Sequence, residues 1–87
     1  LFAGRLAPEK GPDTAIEIAR RSGRRLVIAG MIEPQHAAYY EQKVAPFVDG
    51  RRIRFLGLLS QRDLAPWYRR AAAVLFPIRW CESFGLV

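Results

Sequence analysis

The sequence predicts an α/β fold built on a parallel β-sheet. Two observations lead to this prediction: short apolar runs recur along the chain, and stretches of helical periodicity separate them. The run Leu-Val-Ile-Ala-Gly at residues 26–30 does not alternate with polar residues, which is typical of a strand buried on both faces. The order of elements is β-α-β-α-β-α-β followed by a tail, so we expect parallel strands joined by right-handed crossovers. The expected sheet has about four strands in the order 3-2-1-4.

The first strand and helix are marked by glycine and proline. Residues 1–4 form an apolar run that ends at a glycine, and helical periodicity covers residues 11–22. Pro12 suits the first position of that helix, and Gly23 suits a left-handed C-cap. The strand at residues 26–30 follows directly.

The middle of the chain continues the same alternation. Residues 31–35 form a loop, and residues 36–47 are predicted to form a second helix whose end is obscured by Pro46. After the Asp-Gly turn at residues 49–50, a strand is predicted over residues 52–57.

The last predicted helix contains a proline. Ser60 and Asp63 have the spacing of a helix N-terminal capping box, which predicts a helix start at this point. Pro66 falls inside the pattern, so we expect either a kink or a helix that begins near Pro66. A fourth apolar strand run covers residues 72–78, and residues 79–87 form the tail.

Composition limits the classes of function. The 87 residues amount to one domain or part of one, and the first residue is Leu, which suggests a segment of a longer protein. A single Cys excludes an internal disulfide, and a single His argues against zinc or Ser-His chemistry. With no signal peptide and no long apolar span, a soluble cytoplasmic protein is expected.

The strand–turn–helix at residues 1–11 is the first candidate for a binding site. Arg5 and Lys10 lie on the turn, and a helix begins after Gly11. Unpaired N–H groups and a partial positive charge at a helix start favour an anion, and two cations beside them would add to this. We therefore predict a site for a phosphate or diphosphate, with a merely solvated loop as the alternative.

The predicted topology gives this turn a partner at the other end of the chain. In an open parallel sheet, ligands bind beyond the carboxyl ends of the strands, where the strand order reverses. Here the reversal lies between strands 1 and 4. Arg5 and Lys10 follow the first of these strands, while Glu82 and Gly85 follow the other. Both segments should therefore meet at one crevice.

The net charge of +6 leaves other partners open. It would suit nucleic acid or contact of the full-length protein with an anionic membrane surface. Most arginines, however, come in pairs at predicted helix ends and turns, where solvated surface or the helix dipole accounts for them. A basic nucleic-acid-binding module and an α/β interaction domain without a ligand are the two alternatives to an enzyme.

Three motifs in order resemble a known family. They are Gly-Arg-Leu with Glu-Lys-Gly at residues 4–6 and 9–11, Ile-Arg-Phe-Leu-Gly at residues 53–57, and Glu-Ser-Phe-Gly-Leu at residues 82–86. The chain resembles, from end to end, the C-terminal donor-binding domain of retaining GT-B glycosyltransferases, or glycosyl transferases group 1. The resemblance implies a three-layer Rossmann-like sheet that is half of a GT-B fold. It implies transfer of a sugar from a nucleotide-sugar donor to an acceptor, which is unknown here, without nucleic acid as a partner.

The resemblance also assigns roles to individual charged residues. Arg5 and Lys10 would hold the donor diphosphate, and no metal or other cofactor is expected because these cations would neutralise the leaving group. Glu82 matches the first Glu of the family motif, which faces the hydroxyls of the donor sugar.

Backbone groups would complete the donor site. Phe84, Gly85 and Leu86 would offer N–H groups to sugar and phosphate oxygens, and a glycine permits close approach of the backbone. The loop at Gly57 and Leu58 resembles the segment that contacts the nucleobase through main-chain groups.

The sequence also departs from the family pattern. The second Glu of the motif would fall three residues beyond Val87, and the acceptor-binding domain is absent from residues 1–87. Since the family's active site lies between two domains, the isolated segment is predicted to be inactive. An uncovered strand edge would also let it self-associate.

Overall fold

The computed structural model describes residues 1–71 and 74, and this part of the chain forms an α/β unit. Three strands, β1 (Phe2–Ala3), β2 (Leu26–Ala29) and β3 (Ile53–Phe55), alternate with three helices. The helices are α1 (Pro12–Ser22), α2 (Ala37–Lys43) and α3 (Gln61–Arg70).

The strands form a parallel sheet in which β2 lies between β1 and β3. Phe2 is in register with Ile28, and Leu26 is in register with Ile53. The order β1-β2-β3 confirms the predicted order 3-2-1 for these strands. The predicted fourth strand, residues 72–78, lies outside the described residues apart from position 74.

Side chains along β2 point alternately to the two faces of the sheet, and each face packs against different helices. Leu26 and Ile28 are buried in a core with Ile16 of α1 and Val44 at the end of α2. Side chains on the opposite face of the sheet meet α3, where the guanidinium carbon of Arg54 lies 5.5 Å from the centre of the Trp67 ring. Helices therefore cover both faces, as a three-layer fold requires.

Helix α1 has the ends that its sequence predicts. Pro12 is its first residue, and Gly23 caps its carboxyl end in the left-handed conformation with φ 69°. Arg20 and Arg21 lie in its last turn, where cations complement the helix dipole.

The predicted helix over residues 36–47 is shorter in the structure. The α-helix ends at Lys43, and a 3-10 turn, Ala45–Phe47, follows. Pro46 has no N–H to donate to an earlier carbonyl, so it cannot extend the α-helical hydrogen bonding. A second 3-10 turn, Pro34–His36, occupies part of the predicted loop.

Helix α3 begins at the predicted cap. The Ser60 hydroxyl accepts a hydrogen bond from the N–H of Asp63 at 3.1 Å, and the helix runs from Gln61 through Pro66 to Arg70. The alternative of a helix that begins near Pro66 is wrong, because the Ser60 cap secures an earlier start.

Candidate functional site

The carboxyl ends of the three strands are joined by backbone hydrogen bonds. The N–H of Gly4 donates to the carbonyl of Ala29 at 3.0 Å, and the N–H of Gly30 donates to the carbonyl of Gly57 at 2.8 Å. A Cβ atom on Gly30 would lie 1.7 Å from the carbonyl oxygen of Gly4, so only glycine fits there. The three loops that leave the sheet thus start from one closely packed line of backbone.

A crevice of about 750 Å³ opens beside this line, between the strand ends and α3. Its volume lies in the range of small-molecule sites, which is roughly 300–1,000 Å³. Its described lining comprises Ala3, Gly4, Arg5, Ala29, Gly30, Met31, Leu58, Leu59, Gln61, Leu64, Ala65, Tyr68 and Arg69. The lining is mainly apolar with two guanidinium groups, a composition that suits an organic anion.

Arg5 enters the crevice from the loop after β1. Backbone pairing between Leu6 N–H and the Met31 carbonyl at 3.0 Å holds this loop against the loop after β2. Nη1 of Arg5 lies 3.4 Å from Oε1 of Glu33, and Oε2 of Glu33 accepts a hydrogen bond from Gln35 at 2.8 Å. The Arg5 side chain remains 51% exposed, so its guanidinium is open to a ligand from solvent.

Lys10 lies on the same loop, between β1 and α1, but it is not part of the described lining of the crevice. It ends a 3-10 turn, Pro8–Lys10, and its N–H donates to the carbonyl of Ala7 at 3.0 Å. Gly11 follows in the left-handed conformation, with φ 74°, and connects this turn to α1. The two predicted diphosphate cations thus share one loop, while the crevice itself receives Arg5.

The start of α1 offers fewer donors than its sequence predicts. Pro12 has no N–H, and the N–H of Asp13 donates to the Tyr39 hydroxyl at 3.4 Å. That hydroxyl in turn donates to Oδ1 of Asp13 at 2.7 Å. The N–H of Asp13 at the start of α1 therefore already has a partner from α2.

The predicted nucleobase loop stands open to solvent. Gly57 turns the chain out of β3 in the left-handed conformation with φ 77°, and Leu58 is 71% exposed at the edge of the crevice. The structure therefore brings Leu58 and Arg5 to one crevice. The other predicted donor contacts, Glu82, Phe84, Gly85 and Leu86, lie outside the described residues.

Residues that sequence reasoning did not single out also shape this site. Gly30 ends an apolar run, a position that signals close backbone approach, although its neighbour Gly4 is visible only in the fold. Glu33 is 28 residues from Arg5, and Tyr39 is 26 residues from Asp13. No local pattern identifies such pairs; only the adjacency of strand ends could have indicated the first.

Comparison with known families decides the class of domain. A sequence model of the family described as glycosyl transferases group 1 matches residues 1–87. The chain belongs to this family. The resemblance to glycosyl transferases group 1 that the three motifs indicated is thereby confirmed, and the Arg5 crevice is a feature of a glycosyltransferase-family domain.

The curated relatives that this group 1 domain matches are named D-inositol 3-phosphate glycosyltransferases. The domain is 36% identical over 102 residues to D-inositol 3-phosphate glycosyltransferase 2 of Catenulispora acidiphila, and 36% identical over 97 residues to the D-inositol 3-phosphate glycosyltransferase of Jonesia denitrificans. The enzyme of that name from Xylanimonas cellulosilytica is 37% identical over 91 residues. All of the chain is matched in each case, but it spans only 23%, 23% and 22% of these relatives.

Within residues 1–71 and 74, none of the helices of this domain has the length and apolar character needed to cross a membrane.

Proposed function

We propose that this domain binds the nucleotide-sugar donor of a retaining GT-B glycosyltransferase, and that the full-length protein transfers the sugar to an acceptor. The observation that carries the proposal is the position of Arg5 at a crevice beyond the carboxyl ends of parallel strands, in a chain of the group 1 family. This is where an open α/β sheet binds its ligand. The chain spans only 23% of a relative such as the Catenulispora acidiphila enzyme. The acceptor would be selected by parts of the full-length protein outside this domain.

Charge neutralisation is the chemical contribution proposed for the first loop. Departure of the nucleoside diphosphate puts negative charge on the leaving oxygen, and fixed cations nearby lower the barrier by stabilising that charge. Arg5 can donate two parallel N–H bonds to a phosphate, while Lys10 acts as a point charge. On this basis the reaction needs no metal ion, and chelation with EDTA should leave the turnover unchanged.

The remaining contacts follow the family motifs. The open loop at Gly57 and Leu58 would receive the nucleobase, and its exposure next to the Arg5 crevice supports this role. Glu82 would bind the hydroxyls of the donor sugar. A cytoplasmic location, where the soluble donor is available, belongs to the same proposal.

The phenylalanines of the strands favour this function over nucleic-acid binding, although Phe47 and Tyr68 on other elements are 37% and 40% exposed. A module for single strands needs exposed rings beside cations. Phe2 is instead 3% exposed in the core, and Phe55 packs against the core. Trp67 is half-buried, with the guanidinium carbons of Arg54 and Arg70 5.5 and 5.7 Å from its ring centre.

The test uses the full-length protein with UDP, GDP and ADP as probes and with the matching sugar donors. One nucleoside diphosphate should raise the melting temperature. Arg5→Ala and Lys10→Ala should each lower kcat/KM by roughly 100-fold, the order seen when one charge-stabilising donor is lost. Arg21→Ala and Lys43→Ala are matched controls from the far end of α1 and the last turn of α2, and they should retain wild-type rates.

Three outcomes would contradict the proposal. Failure of all three nucleotides to bind would favour an interaction domain without a ligand. Near-normal rates in both Arg5→Ala and Lys10→Ala would refute the assigned roles. Salt-sensitive binding of generic DNA without an effect of nucleotides would favour the nucleic-acid module.

A further inference from the structure

The carboxylate of Glu33 contacts Arg5, a proposed donor-binding side chain. It lies at the N-cap position of the Pro34–His36 turn, yet its side chain does not cap that turn. Its carboxylate is instead shared between Arg5 and Gln35, at 3.4 and 2.8 Å. The acidic group therefore faces the crevice loop, where a bound diphosphate would also be acidic, and this arrangement needs an explanation.

The geometry favours a support for Arg5 over a competitor of the ligand. Only one of the guanidinium nitrogens is directed to Glu33, through Nη1, and an arginine has five N–H donors in a rigid planar fork. A carboxylate bound at one position restricts rotation of this fork and leaves its other N–H donors for an anion. Gln35 restrains the carboxylate in turn, because it binds the second oxygen of Glu33.

Backbone hydrogen bonds hold the loop after β1 against the loop after β2 on both sides of the Arg5–Glu33 contact. The pairs Gly4–Ala29 and Leu6–Met31 lie on either side of Arg5, each at 3.0 Å. The side chain of Glu33 is 20% exposed against 51% for Arg5, so the carboxylate is the more enclosed member of the pair. An enclosed acceptor reduces the freedom that the exposed guanidinium would otherwise lose on binding a ligand.

We propose that Glu33 is a positioning residue for donor binding: it holds the Arg5 guanidinium over the crevice in the orientation that receives the diphosphate. The inference rests on the proposed function of Arg5 and adds to it a residue that touches no substrate. Its effect is moderate, because a partly exposed ion pair changes an equilibrium by only about three- to fivefold.

The experiment measures binding of inorganic pyrophosphate, UDP, GDP and ADP to the full-length protein by calorimetry. Glu33→Ala should weaken binding of pyrophosphate, and of whichever nucleotide binds, by about three- to fivefold. Glu33→Gln keeps an oxygen that accepts from Arg5 and should restore affinity to within about twofold. Glu17→Ala removes the 2.8 Å ion pair with Arg21 on α1 and is the matched control, expected to bind as the wild type does.

A double-mutant cycle separates positioning from a general structural effect. In an Arg5→Ala background, Glu33→Ala should have no further effect on binding. The melting temperature of unliganded Glu33→Ala should match that of Glu17→Ala. With the sugar donor of the nucleotide that binds, Glu33→Ala should lower kcat/KM by at least the factor lost in affinity, whereas Glu17→Ala should leave kcat/KM unchanged.

Each contrary result has a distinct meaning. Tighter binding by both Glu33→Ala and Glu33→Gln would show that the carboxylate opposes the anion and would overturn the proposal. Unchanged binding by Glu33→Ala, or an equal loss without Arg5, would overturn it while leaving the donor site intact. If wild-type protein binds neither pyrophosphate nor any of the nucleotides, the donor site fails and the positioning role falls with it.

Discussion

Gly30 occupies a position with no room for a side chain. A Cβ atom there would lie 1.7 Å from the oxygen and 2.8 Å from the carbonyl carbon of Gly4, both of them backbone atoms of the neighbouring loop. Backbone cannot move aside as the end of a flexible side chain can. The same residue donates to the carbonyl of Gly57, so a shift of Gly30 would disturb all three strand ends.

Gly30→Ala should therefore lower the free energy of unfolding by about 3 kcal/mol, at the upper end of the range for overpacking. Gly23→Ala is the comparison: no atom lies within 4 Å of its would-be Cβ, but its φ is 69°. That substitution should cost about 1 kcal/mol through backbone conformation alone. Urea denaturation of both variants checks the order, and an equal loss would show that the Gly4–Gly30 contact relaxes freely.

Single residues differ in how well the sequence identifies them. Arg5 was placed at the binding crevice because it follows a strand directly, and the fold puts the ends of parallel strands at one edge. No local pattern identifies Glu33 as its partner, because the contact joins two loops whose residues are 28 positions apart in the chain. Local periodicity contains no information about such a meeting.

Hydrogen bonds join helices α1 and α2 next to the Pro8–Lys10 turn. The Tyr39 hydroxyl donates to Oδ1 of Asp13 at 2.7 Å and accepts from its N–H at 3.4 Å. The neighbouring Tyr40 turns to the sheet, with its ring centre 5.5 Å from that of Phe55. Burial, with the charge of Glu41 as the second cause, raises the pKa of Tyr40.

Tyr39→Phe should lower the free energy of unfolding by about 1 to 2 kcal/mol, because a part-buried hydrogen bond to a carboxylate is lost. Tyr40→Phe is the matched control. It removes a hydroxyl from the neighbouring residue without breaking the contact to Asp13, and its stability should change by less than about 0.5 kcal/mol. Thermal and urea unfolding of the pair provide the measurement; equal losses would refute a specific contribution of the Tyr39 bond.

The elements were predicted best where capping chemistry is explicit. Ser60 marked the start of α3 correctly, and Pro12 and Gly23 marked the two ends of α1. The second helix was predicted too long, because apolar spacing continues through Phe47 while the α-helical hydrogen bonding stops at Lys43. Spacing reports which side chains can share a face, and an α-helix and a 3-10 turn satisfy it almost equally over one turn.

The two faces of the sheet are covered unequally. The buried core lies between the sheet and α1 with α2, whereas none of the residues of α3 is fully buried. Besides the Arg5 crevice, another crevice of about 650 Å³ lies between α3 and the end of α1, and its lining includes Leu1 and Trp67. Within the described part, β1 is an outer strand whose partner is β2.

The isolated 87-residue segment should consequently be marginally stable and should associate with itself. Exposed strand edges pair with other chains, and a core that lies mainly on one face of the sheet gives little free energy to spare. Sedimentation and thermal melting at several concentrations check this, with the full-length protein as the control. A sharp monomeric melt that does not depend on concentration would contradict the prediction.

Apolar runs, helical periodicity and turn residues were sufficient to predict the α/β class, the order of the three described strands and the loop that carries Arg5. These features are local, or they follow from general rules for connecting parallel strands. The contact of Gly30 with Gly4, the pairing of Arg5 with Glu33 and the engagement of the α1 start by Tyr39 emerged only from the folded chain. Each joins groups about 26 to 28 residues apart, and such groups come within reach of one another only after the strands have paired and the helices have packed.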